Sequence, residues 1–368
     1  MVQVGAFPFP SPQGSQVFVH GMARALAARG HEVRLCCYGH GVGEADPRLR
    51  LFRTWAPPGY TRMRAGPDWV KPLLNAALAR QVERAARGAD LVHAHNYEAP
   101  LACLPARARH GLPLVYCAHN QLAEELPTYA STARGRQVAQ ISGRALDLSV
   151  PRLADLAQAI HPRAVPALRA LGCRAVVCVM PGVDPAELPE TAPAALPPGP
   201  WVVYAGNPDR YQDLDVLFAA MHLLPEARLL LVSAADMGEW EAQLPPGTLR
   251  VQTSDFAVVR AHLAAADIGA IPRVQCSGFP IKLLNQLGMG LPTVMSASAA
   301  VDLPGVVVAP DRDPVAWAAA LRALLAAPVR RAALRVAARR GVLDGCTWEA
   351  RAVELEAHYG ALLRRRVP

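Results

Sequence analysis

Four clusters of polar residues stand at the ends of apolar runs, and each carries groups able to hold a ligand. The stretch SGFPIKLLNQLGMGLP, residues 277–292, contains Lys282, one of two lysines in a chain that has thirty-six arginines. Pro280 suits the first position of a helix, whose unpaired N–H groups attract anions. Lys282 and Asn285 are three residues apart and share one face of that helix. A lysine beside those amides faces an unfavourable dipole unless an anion sits there, so its placement points to phosphate. The plainer reading is a surface lysine whose stem lies along the protein and whose ammonium reaches water.

The stretch YAGNPDRYQDLD ends a strand at Gly206, puts Arg210 in the following loop and starts a helix at Asp215. Arg210 suits phosphate oxygens, or is simply a solvated arginine. In PFPSPQGSQ, Gly14 permits close backbone approach and the helix amides after it favour an anion, although an isolated Pro/Gly turn also reads as structural. The last cluster pairs two strand ends, HAHNYE and CAHNQLAEELPTY, which place His95, Asn96, His119 and Asn120 where a substrate would lie. Either histidine alone reads as a satisfied core residue. They lack a third ligand at a plausible spacing, so no zinc site is expected.

The elements that must position these groups follow from apolar patterning. Short β-rich runs (VQVGAF, HEVRLCCYG, ADLVHAH, LPLVYCAHN) alternate with helical ones through residue 180, the pattern of a parallel α/β sheet. In the first helix Val17, Met22, Ala25 and Leu26 recur on one face, and Gly30 stands where a C-terminal cap belongs. Residues 181–200 hold seven prolines and no periodic pattern, so they read as a stiff, exposed connection. The alternation then restarts with WVVYAG and runs to PTVMS. The expected organisation is an N-terminal Rossmann-like domain (1–180), the linker (181–200), a C-terminal Rossmann-like domain (201–346) and a C-terminal helix (347–368) packing back toward the N-terminal domain. In doubly wound domains ligands gather beyond the carboxyl ends of the strands, so a cleft between the domains is the expected site.

Composition narrows the function classes. The chain has 368 residues, 52% hydrophobic and 18% charged, enough apolar surface for two cores. Its eight cysteines are scattered without CxxC spacing and read as reduced core residues. A strand candidate beginning at residue 2 leaves no room for a signal peptide, and no apolar run reaches the roughly 18 residues of a membrane span, so a cytoplasmic protein is expected. The net charge of +8 comes from arginines spread through helices rather than gathered in a patch, which argues against nucleic acid.

PFPSPQGSQVFVHGMARALAARGHEV, DLVHAH, VYCAHN, MPGVD, VYAGN, AADIGAIP and SGFPIKLLNQLGMGLPTVMS, in this order and spacing, resemble the family-4 glycosyltransferases, retaining enzymes of the GT-B fold. The resemblance covers nearly the whole chain. It implies two Rossmann-like domains facing a cleft, with sugar transferred from a nucleotide diphosphate sugar to an acceptor. It implies no cofactor or metal, because protein charges and helix amides stabilise the departing diphosphate. On this analogy His119 is the histidine near the sugar. Gly14, Gly206, Arg210, Ser277, Gly278, Phe279, Lys282 and Asn285 fall on the donor side, and Gln13, His95, Asn96, Asn120 and Glu124 on the acceptor or sugar side.

The chain departs from the pattern where the family carries two glutamates, since Ser277 and Asn285 stand at those positions. The family's basic pair is likewise replaced by Asn207 and Gln212, and Arg210 and Lys282 are the expected substitutes. The lost carboxylates motivate a second reading, a catalytically inactive scaffold partner. A nucleotide-sugar epimerase is disfavoured because no additional acid/base carboxylates are evident. The segment 60–88 combines Trp69 and leucines with Arg62, Arg64, Lys71, Arg80 and Arg84, a basic amphipathic pattern that suits an anionic membrane or a lipid-linked acceptor, or an ordinary surface helix. Glycan and small-molecule acceptors remain equally open.

Overall fold

The structure, a computed structural model, describes residues 1–11, 13–63, 66, 68–208, 212–274 and 278–365. Strands are β1 (Val2–Gly5), β2 (Arg34–Cys37), β3 (Arg50–Arg53), β4 (Val92–His95), β5 (Leu114–Ala118), β6 (Leu156–Ala159), β7 (Val176–Cys178), β8 (Trp201–Ala205), β9 (Arg228–Ser233), β10 (Leu249–Gln252), β11 (Ile268–Ile271), β12 (Thr293–Ser296) and β13 (Val306–Ala309). Helices are α1 (Gly14–Ala28), α2 (Lys71–Ala85), α3 (Glu98–His110), α4 (Leu122–Glu125), α5 (Ala133–Ser149), α6 (Ala164–Ala170), α7 (Leu214–His222), α8 (Phe256–Ala265), α9 (Ile281–Gly288), α10 (Pro314–Leu325), α11 (Pro328–Gly345) and α12 (Trp348–Arg364).

The chain divides into two compact units. The first comprises Met1–Gly182, Ser277–Phe279 and Trp348–Pro368, the second Val183–Cys276 and Pro280–Thr347. Among the described residues the first unit carries a seven-stranded parallel sheet in the order β3-β2-β1-β4-β5-β6-β7, and the second a six-stranded one in the order β10-β9-β8-β11-β12-β13. Both are doubly wound α/β arrangements. The strand order reverses between β1 and β4 in one and between β8 and β11 in the other, the positions at which such sheets open a crevice at their carboxyl ends.

Strand alternation divides the first sheet into two chemically different faces. Val2, Val4, Val92, Ala94, Leu114, Tyr116, Ala157 and Ala159 join Leu74, Leu78 and Val82 of α2 and Cys103 of α3 in one apolar core. The opposite face, with period two, carries Gln3, His93, His95, Cys117 and Gln158, all fully buried. Helices α1 and α12 lie over this polar face: Phe18 of α1 meets the His119 ring edge-on at 5.1 Å, and the Tyr359 hydroxyl of α12 lies 2.6 Å from His93 Nδ1. The two helices approach closely at Gly21, where a Cβ would come within 2.2 Å of the Trp348 ring.

Two expectations are corrected. Val17 is exposed while Gln16, Phe18, Val19 and Ala23 are buried, because α1 is covered by α12 as well as by the sheet and its buried arc is wider than one stripe. The proline-rich segment is not exposed throughout. Val183 is buried and bridges to Thr347, and Leu188 is buried with its carbonyl held by Arg339 Nη2 at 3.2 Å, so its first residues are anchored to the second unit.

Candidate functional site

In the second unit the polar cluster is built at the carboxyl end of β8 and the start of α9. Helix α9 forms because Leu283, Leu284 and Leu287 share its inner side and are fully buried, each burial stabilising by about 1.5–3 kcal/mol. Pro280, in an extended conformation, caps its first turn rather than occupying it. Its other end closes with Gly290 N–H donating to Leu287 O and Leu291 N–H to Gln286 O, the paired bonds of a Schellman motif. Lys282 is thereby fixed in the first turn, half-buried, with Asn285 also half-buried one turn on.

Lys282 Nζ donates to Tyr204 Oη and to Gln212 Oε1, both at 2.9 Å, and lies 4.3 Å from the centre of the Tyr204 ring. The tyrosine hydroxyl donates onward to Asn207 O. A ring face and two oxygens compensate an ammonium that the helix dipole disfavours. Gly206 completes the cluster. Its φ of 142° is outside the range of other residues, and a Cβ there would meet Lys282 Nζ at 2.9 Å. In the sequence Tyr204 is one apolar-run residue among several, and Gln212 stands only where the family's cation is missing. Their contacts with Lys282 show that the ammonium is positioned rather than loose in solvent. Arg210 and Ser277 lie outside the described residues.

In the first unit His95 and His119 are brought together, His95 Nδ1 lying 3.2 Å from His119 Nε2. Burial drives the His119 pKa down to about 3, and burial with the neighbouring His93 and His119 drives His95 well below its ordinary value. Both are therefore neutral imidazoles, so His119 can orient a hydroxyl by hydrogen bonding but carries no charge at neutral pH. Asn96 adopts a left-handed φ of 61° directly after β4. Asn120 Nδ2 donates to Glu125 Oε2 at 3.1 Å, and Tyr129 Oη donates to Glu125 Oε1 at 2.7 Å. Glu125 is thus the carboxylate tied to the strand end, while Glu124 is exposed. Gln13 stands at the N-cap position of α1 with its side chain turned elsewhere, Nε2 donating to Met63 O at 2.6 Å, and Gly14 is exposed at the first helical position. Gly278 and Phe279 are buried, the Phe279 ring lying 6.1 Å from that of His161.

His95 has ligand-type neighbours that sequence spacing does not supply, and His119 is not among them. His93, His95 and Cys117 offer ligand atoms that all lie within 4.8 Å of one another. His spacing alone misses this set, because the cysteine comes from the adjacent strand.

The basic segment is partly neutralised. Lys71 Nζ pairs with Glu98 at 3.1 Å and Arg62 with Asp68 at 3.1 Å, while Arg64 lies outside the described residues. Trp69 is 97% exposed and Leu73 is exposed beside it, so an apolar feature does project from the start of α2. Among the described residues no helix is long and apolar enough to cross a membrane.

Comparison with known proteins matches both units. The model described as Glycosyltransferase Family 4 covers residues 12–187, and that described as Glycosyl transferases group 1 covers residues 199–327. The chain is 28% identical to a D-inositol 3-phosphate glycosyltransferase of Xylanimonas cellulosilytica, across 99% of this chain and 97% of that one. Among solved structures it is similar to a sucrose-phosphate synthase from Thermosynechococcus elongatus, with a TM-score of 0.80, 19% identity and 99% of each chain covered. It is also similar to Anabaena HepE in complex with UDP-glucose, with a TM-score of 0.68, 14% identity and 98% and 99% covered.

Proposed function

The chain belongs to the family-4 glycosyltransferases of the GT-B fold, and from that premise we propose that it transfers a hexose from a nucleotide diphosphate sugar with retention and without a catalytic metal. The observation that carries this reading is the seating of Lys282 in the first turn of α9 by Tyr204 and Gln212, beside Gly206. In this reading Lys282 and the N-terminal turn of α9 bind the diphosphate and stabilise the charge that grows on it as the glycosidic bond breaks. Gly206 leaves room for a phosphate oxygen at the ammonium. Asn285 hydrogen-bonds a ribose hydroxyl with one oxygen and one amino group, a weaker grip than a glutamate's two oxygens. Gly14 lets a ligand approach the backbone at the start of α1. His119, neutral, orients a sugar hydroxyl, with Gln13, Asn96 and Asn120 on the acceptor side.

The loop bearing Arg210 adds a second cation, and Ser277 and Phe279 border the sugar. The protein works in the cytoplasm, and Trp69 and Leu73 rest on the membrane's inner face when the acceptor is lipid-linked. The curated relative carries D-inositol 3-phosphate in its name, so a phosphorylated cyclitol heads the panel of acceptors, followed by lipid-linked and free sugars.

The test is incubation with a panel of nucleotide diphosphate sugars and these acceptors, with products identified by mass and anomeric configuration by NMR. Transfer with the donor's configuration kept, at a rate that added Mg2+ or Mn2+ does not raise, is the expected result. An inverted product would end the retaining reading. Donor binding without hydrolysis or transfer across the panel would favour the scaffold.

A further inference from the structure

The polar face of the first sheet carries a buried cluster of which only His95 falls among the acceptor-side candidates. His93, His95 and Cys117 are wholly buried, and their position follows from register. His93 and His95 are two residues apart on β4 and so point to one side of the sheet. Cys117 of β5 pairs directly with His95 across the parallel ladder. The Nε2 atoms of both histidines are buried without a hydrogen-bond partner. Leaving one such atom unpaired costs about 1–3 kcal/mol, so two on neighbouring histidines of one face call for an occupant.

We propose that His93 Nε2, His95 Nε2 and Cys117 Sγ bind a thiophilic closed-shell metal ion, zinc foremost. Two imidazoles and one thiolate are the ligand chemistry of such ions. The Nδ1 atoms are already engaged as metal-binding histidines require. His93 Nδ1 lies 2.6 Å from Tyr359 Oη and His95 Nδ1 lies 3.2 Å from His119 Nε2. With Nδ1–H donating in each case, both Nε2 lone pairs face the ion. One ring nitrogen of each histidine and Cys117 Sγ lie within 4.8 Å of one another; a tetrahedral zinc ion would bring a nitrogen and a sulfur to about 3.6 Å, a closure of roughly an ångström by side-chain rotation. Gln3 pairs with His93 and Gln158 with Cys117 in the ladder. The buried oxygens Gln3 Oε1 and Gln158 Oε1 also lack partners and would accept from a water completing the coordination. Binding displaces the Cys117 thiol proton, so one proton is released for each ion taken up.

Such an ion would fix His119 with its proton on Nδ1, because His95 Nδ1–H then donates to His119 Nε2. The inference does not depend on the proposed sugar transfer, and its test reads the metal itself. The full chain is produced in zinc-supplemented medium, and its metal content is measured by mass spectrometry beside Cys117→Ser and a control, Cys103→Ser, whose thiol is buried in the opposite core. One equivalent of zinc in the wild type and the control, lost from Cys117→Ser, is expected. Protein refolded with Co2+ should show a thiolate-to-cobalt charge-transfer band and strong tetrahedral d–d bands, so the wild type alone remains informative if the serine variant fails to fold. Tyr359→Phe should weaken metal affinity about 10- to 100-fold. Copper in place of zinc would support the site with a different occupant. Substoichiometric metal together with cobalt spectra lacking the thiolate band would overturn the proposal, leaving water as the partner of the two histidines.

Discussion

Replacing Lys282 by methionine keeps a stem of similar length over the Tyr204 ring and removes only the charge and its donors. A hydrogen bond to a charged group is worth about 1.5–3 kcal/mol, which at about 1.4 kcal/mol per decade corresponds to roughly 10- to 150-fold in affinity for a nucleoside diphosphate. Lys282 is half-buried, so solvent screens part of its field and the lower end of that range is expected. Gln212 is 3% exposed, and its Oε1 loses a donor in the variant. Thermal unfolding of the unliganded protein therefore has to be compared first. The assay is calorimetric titration with a nucleoside diphosphate and with the parent nucleoside, each at low and high salt. The diphosphate should weaken and lose most of its salt dependence, while the uncharged nucleoside binds as before. Unchanged diphosphate affinity, or equal weakening of both ligands, would refute the assignment of Lys282 to the diphosphate.

Gly206→Ala forces a side chain into a backbone conformation worth about 1–3 kcal/mol of strain and pushes its Cβ onto Lys282 Nζ; lower stability and weaker diphosphate binding should appear together in melting and calorimetry, and an unperturbed variant would show that the loop relaxes freely. Burial holds His119 at about 3 in the folded chain, against 6.5 when unfolded, so below pH 6.5 the unfolded chain takes up a proton first and stability falls as pH drops. At pH 5 this histidine costs about 2 kcal/mol, and denaturant unfolding at pH 7 and pH 5 should show the loss, reduced in His119→Asn; an equal loss in His119→Asn would contradict its burial. Trp69→Ser should reduce flotation of the protein with anionic vesicles, and absence of wild-type flotation removes the membrane contact.

Much of the fold is legible in the chain because α/β alternation leaves its mark in local periodicity. VQVGAF, ADLVHAH and LPLVYCAHN are apolar for the reason that both faces of their sheet are covered. The strand-end position of His95 and His119 follows from the same runs. Their partners do not, since the 3.2 Å contact between them depends on the β4 and β5 register, and the approach of Cys117 and Tyr359 on residues far apart in sequence. The first-turn placement of Lys282 follows from Pro280 and the leucine spacing. Its coordination by Gln212, seventy residues earlier, does not. Exposed Val17 shows the limit of a single-stripe reading of a helix that is covered from two sides.

The first unit is finished by a helix made long after its strands. Those strands are complete by Cys178, yet Tyr359, which meets His93 across 266 positions, comes only in α12. At about 5–20 residues per second of synthesis, roughly ten to thirty-five seconds separate Cys178 from Tyr359 on the ribosome. During that interval the face bearing Phe18, His93 and Cys117 waits for α12, while the intervening second unit emerges and is free to fold. A chain stopped before Trp348 would therefore carry an intact Lys282 cluster and an unsealed first sheet, and chaperone demand should concentrate on the first unit.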